Sequence, residues 1–177
     1  MREGPLRARP ERSELLRQLR SRLSQLEDPL EIIAEQLLGL DARIDFVAGD
    51  RSGQVVLIFL AEPGSDLVAL ANALAQRAWT EPRVADWLKL APQLDLRPEL
   101  GVRVLLLAPQ LDPRTVAAAQ SVKGADVTLG ICRCIQRGPE FEILIEMLGS
   151  LPADPPRVAA PIASRFRTGL RAEELHR

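Results

Sequence analysis

The chain has 177 residues, enough for one domain with a substantial core. Its apolar and charged fractions are ordinary for a globular protein, and no apolar run of about 18 residues is present that would cross a membrane. The net charge of −1 is unevenly spread: residues 1–23 carry +4 and residues 157–177 carry +3, which leaves −8 for the middle. Such a middle repels phosphate backbones, so any nucleic-acid contact is expected through the basic ends.

In chain order, residues 1–12 read as a disordered basic arm, with two prolines and a glycine among the first ten residues. "SELLRQLRSRLSQL" sets Leu15, Leu16, Leu19, Leu23 and Leu26 at helical spacing, with Ser13 as a cap. Asp28-Pro29 reads as a second helix start, carrying "LEIIAEQLLGL" to Gly39. "ARIDFVAG" and "QVVLIFLAE" read as two strands joined by "DRSG". The second is apolar on both faces, as a central strand covered on both sides must be. A helix over "SDLVALANALAQRAWT", a short helix over "EPRVADWLKL" and a loop over "APQLDLRPELG" follow. "VRVLLLAP" is a further buried strand, and Asp112-Pro113 opens the helix "RTVAAAQSV" as N-cap and N1. "DVTLGICRCIQ" and "FEILIEML" are two last strands. The domain spans 13–149, and residues 150–177 form a proline-rich linker and basic tail.

The expected fold is α/β, with a mixed sheet of about five strands flanked by helices in the order α-β-β-α-β-α-β-β. That order, with "ARIDFVAGDRSGQVVLIFLAE" as its hairpin, resembles the PD-(D/E)xK (restriction-endonuclease-like) superfamily over residues 28–148. The resemblance implies an Asp at Asp45, then a Glu and a Lys two apart near the end of the second strand. The implied chemistry is Mg²⁺ held by carboxylates, a metal-activated water and a charge-stabilising lysine. Phe59 and Ala61 stand in the Glu and Lys slots. The relatives' Gln and aromatic helix positions fall on Asn72, Gln76 and Trp79.

The expected role is therefore a non-catalytic binding or scaffolding module on a decayed nuclease-like fold. No catalytic residue, metal or cofactor is expected. The alternatives are an accessory nucleic-acid-binding protein and a divergent Mg²⁺-dependent nuclease that uses Asp45, Glu31 and Glu62. For Glu62, alternation along the strand predicts the face away from Ala61. Asp45 reads either as a remnant metal ligand or as a hairpin residue paired with Arg43 or capping a turn.

Asn72 and Gln76, four apart on one helix face, are binding candidates. So are Phe166 and Leu170, at the spacing of a tail that folds onto a protein partner. Cys132 and Cys134 lack two further zinc ligands and read as buried apolar residues. Two cysteines too close together for a routine disulfide framework, and a charged N-terminus without an apolar segment, predict the reducing cytoplasm and no membrane contact. The one histidine, His176, excludes a serine–histidine triad, and no phosphate-binding glycine motif is present.

Overall fold

A computed structural model describes residues 10–26, 29–90, 92–137 and 140–148. Among the described residues the α-helices and strands are helix α1 (Arg12–Leu23), strands β1 (Glu31–Leu38), β2 (Arg43–Gly49) and β3 (Val55–Leu60), helices α2 (Asp66–Thr80) and α3 (Val84–Leu90), strand β4 (Val102–Ala108), helix α4 (Pro113–Ser121), and strands β5 (Asp126–Arg137) and β6 (Glu140–Leu148). The six strands form one sheet in sequence order. Pairing is antiparallel from β1 to β3, parallel from β3 to β5, and antiparallel again between β5 and β6. The hairpin, helix, strand, helix, strand, strand order expected of a nuclease-like core is the order observed, with β1 added ahead of it.

β3 shows why the sheet is covered twice. Val55, Leu57, Phe59 and Ala61 enter the core on the α2 side, while Val56, Ile58 and Leu60 enter the core under α1. Every residue of the strand is buried. The period-two alternation sends an unbroken apolar run to both faces. α1 lays Leu15, Leu16, Leu19 and Leu23 onto the second of these cores. Burying each such side chain is worth about 2 kcal/mol.

The second helix predicted after Asp28-Pro29 is instead β1, and the sheet has six strands rather than about five. Asp28 itself lies outside the described residues. A register shift between Ile32 and Ala34 explains the misleading pattern. It places Ile33 and Ala34 against the α2-side core while Ile32 packs on the other side. A bulge breaks strict alternation, so the doubled apolar pairs imitate a helix. α1 begins one residue before Ser13, and its N-cap is Glu11. Cys132 is buried as expected, but Cys134 is exposed, two residue pairs nearer the hairpin end.

Other local expectations hold. Asp112 accepts the backbone N–H of Arg114 and caps α4, with Pro113 in its first turn. The β2–β3 turn closes on Asp50, whose Oδ1 accepts the N–H groups of Ser52 and Gln54. Gly53 in that turn has φ +85°, a conformation costly for any residue with a Cβ.

Candidate functional site

The β2–β3 ladder runs from Gly49–Val55 to Phe46–Ile58 and then stops. Asp45 lies just beyond, and its carboxylate takes over where the strands part. Oδ2 accepts the N–H of Leu60 at 2.7 Å. The side chain is 8% exposed, so a charge here needs a partner. That partner is Arg12, the first residue of α1. Its Nη2 donates to both Asp45 oxygens at 2.8 and 2.9 Å and to the Leu60 carbonyl at 3.0 Å. Its Nη1 donates to Glu62 at 2.8 Å.

One guanidinium thus gathers two carboxylates and a backbone carbonyl from the hairpin and the end of β3. Partial burial lowers the Arg12 pKa, but the charge and hydrogen bonds of Asp45, reinforced by Glu62, outweigh it and hold it above the ordinary arginine value. The planar fork of an arginine suits this multiple recognition.

Several predicted site residues sit elsewhere. Phe59 and Ala61 pack into the α2-side core, whereas the Asp45 carboxylate is turned to α1. The groups that share a cation with Asp45 are the Leu60 carbonyl and Glu62. Glu62 lies two residues beyond the end of β3, on the face away from Ala61 as alternation predicts, and its carboxylate reaches the same guanidinium because Asp45 is turned to that side. Asp45 does not pair with Arg43, which donates to Gln36 instead.

Glu31 is remote from Asp45. It pairs with Gly49 at the other end of β2 and borders an open pocket of about 390 Å³ with Leu30, Ile33, Asp50 and Leu94. Glu35 forms an ion pair with Arg20 at 2.8 Å. Asn72 is exposed, while Gln76 is buried and accepts the Leu40 N–H at 2.9 Å. The pair that was to line a binding surface is split between solvent and a structural bond that pins the β1–β2 turn. A Cβ at Gly39 would lie 1.7 Å from Gln76 Oε1, so a larger residue there must displace the Gln76 side chain that accepts the Leu40 N–H. Trp79 is half-buried, with the Arg83 guanidinium 4.3 Å from its ring centre. Phe166 and Leu170 lie outside the described residues.

The residue that sequence reasoning missed is Arg12. It was grouped with the basic arm, and nothing local marks it as the partner of a carboxylate 33 residues away.

The family resemblance implies a divalent cation, and the oxygens around Asp45 are the hard donors such an ion takes. With Arg12 in place the set does not fit one. The guanidinium already occupies both carboxylates and the carbonyl, and a second cation among them meets like-charge repulsion at contact distance. Among the described residues no cluster of three or more His, Cys, Asp or Glu is arranged to hold a metal.

No protein-family profile matches the chain, and no curated protein matches it. Among solved structures it is similar to a repair endonuclease from Pyrococcus abyssi, at 16% identity and a TM-score of 0.47 over 68% of this chain and 47% of that one. It is also similar to an EndoMS–double-stranded DNA complex, at 15% identity and a TM-score of 0.46 over 72% of this chain and 48% of that one. A third similarity is to SfsA of Pyrococcus furiosus with Ca²⁺, at 11% identity and a TM-score of 0.35 over 74% and 59% of the two chains. The chain spans about half the length of the first two structures. No site residue is carried over from any of them.

No described helix is long and apolar enough to cross a membrane.

Proposed function

We propose that this domain is a non-catalytic binding or scaffolding module on a nuclease-like fold. One observation carries the reading: the Arg12 guanidinium holds Asp45, Glu62 and the Leu60 carbonyl together, where a hydrolytic site would need a metal and a water. An arginine does not give up its proton to act as a base, and it offers no open coordination position for a nucleophile. What Arg12 does instead is tie α1 to the hairpin, which gives the domain a fixed surface from which its ends can reach a partner. The partner classes are a protein met through the C-terminal tail and a nucleic acid met through the basic ends.

A second reading is a divergent metal-dependent nuclease with relocated ligands, and the convergence of Glu62 with Asp45 favours it. In that reading Mg²⁺ displaces Arg12, and Glu62 serves in place of a carboxylate at position 59.

The test is incubation with single- and double-stranded DNA and RNA in Mg²⁺ and in Mn²⁺, beside an Asp45→Ala control. No cleavage above the control is expected. Metal-dependent cleavage that disappears in Asp45→Ala would sink the non-catalytic reading and establish the second.

A further inference from the structure

The sheet has two outer strands, and they are built differently. β1 is irregular: its register shifts between Ile32 and Ala34, Gln36 has φ +49°, and exposed Glu31 and Glu35 mark its length. These are the devices that stop a sheet edge from pairing with another chain. β6 has neither the register shift nor the positive φ, although it too carries an exposed acid, Glu146. It pairs with β5 through nine successive residues, Leu148–Leu129 to Glu140–Arg137, without a register shift. It contains no proline, glycine or lysine. Leu144 is 50% exposed and Met147 is 38% exposed. Among the described residues no strand pairs with its outer side. A long, regular edge with exposed apolar side chains is a ready template for another strand.

We propose that β6 pairs antiparallel with β6 of a second copy of this chain, about a two-fold axis at Ile145. The charges select both the occupant and the register. Opposed residues of antiparallel strands share a face, so a two-fold axis normal to the sheet must pass through a residue. An axis at Leu144 sets Glu142 against Glu146 twice. An axis at Ile143 sets positions 140 and 146 opposite each other, again two acids. Axes at Glu142 or Glu146 oppose an acid to itself. Like charges directly opposed destabilise a ladder.

The axis at Ile145 avoids every such clash. It sets Leu144 against Glu146, Glu142 against Leu148, and Ile143 against Met147, with Ile145 against its own copy. On the α1 side this continues a core that exists already. Ile143 and Ile145 belong to the cluster packed under α1, and Met147 lies over Gly130. Glu142 is bound within the subunit by Arg22 and Arg137, so it needs no charge from the partner.

The test is sedimentation of the full chain over a range of concentrations, for the wild type, Leu144→Glu and Leu144→Arg. The site is exposed, so both variants are expected to fold, which circular dichroism checks. Wild type should dimerise. Leu144→Glu opposes an acid to Glu146 at two symmetric positions and should weaken the dimer about tenfold or more. Leu144→Arg gains a partner in Glu146 and should keep it. A monomeric wild type would overturn the proposal, whether because residues 149–177 close the edge or because it stays open. Equal loss in both variants, or no effect of either, would overturn it as well.

Discussion

Asp45 lies within β2 and Asp50 just after it, and each is an aspartate beside an arginine. The resemblance ends there. Asp50 draws its donors from the turn it begins: the Ser52 hydroxyl, the N–H groups of Ser52 and Gln54, and then Arg103 at 3.3 Å. Asp45 draws its donors from Leu60 and Arg12, which lie 15 and 33 residues away. The first aspartate shapes a local turn. The second joins a helix, a hairpin and the end of a central strand. Two similar ion pairs therefore hold different amounts of the fold.

Removing each carboxylate should expose that difference. Asp45→Ala leaves the Leu60 N–H without its acceptor and leaves Arg12 with only Glu62 and the Leu60 carbonyl. A loss of about 3 kcal/mol is expected from urea unfolding, at the lower end for a broken buried pair because Arg12 is 41% exposed. Asp50→Ala should cost less, about 1–2 kcal/mol, because the freed turn N–H groups can turn to water. Equal losses would mean that Asp45 is no more than a second turn residue.

Acid sharpens the same contrast. Burial raises the Asp50 pKa, but the Ser52 hydroxyl, the N–H groups of Gln54 and Ser52, and Arg103 outweigh it and hold it below the ordinary value. A lowered folded pKa means that the contribution is complete above the unfolded value of about 3.9 and fades as pH falls through the folded one. Asp50→Asn should therefore lose less stability than wild type between pH 5 and pH 3, read from urea midpoints. An identical acid dependence in the two proteins would show that this carboxylate is not stabilised by folding.

The sequence made the local half of this comparison readable and concealed the other half. "DRSG" announces a turn, and Asp112-Pro113 announces a helix start, because the responding N–H groups lie two to four residues on. The apolar runs at 55–61 and 102–108 announce covered strands for the same local reason. β1 was misread because its bulge doubles the apolar positions. The structural roles of Arg12 and Gln76 are not legible in the sequence because their partners are chosen by tertiary placement. Gln76 is held by a backbone N–H 36 residues away, a bond that no side-chain pattern signals. The slots at Phe59 and Ala61 were assigned by position along β3, and the packing turns both away from Arg12.

In the proposed non-catalytic reading, Arg12 takes the place of a metal. Mn²⁺ titration by calorimetry tests it most directly, on wild type, Arg12→Ala and Arg12→Ala/Asp45→Ala, each confirmed as folded. Binding is predicted only in Arg12→Ala, where Asp45, Glu62 and the Leu60 carbonyl are released to the ion, and it should vanish in the double variant. Asp45-dependent Mn²⁺ binding by the wild type would contradict the account.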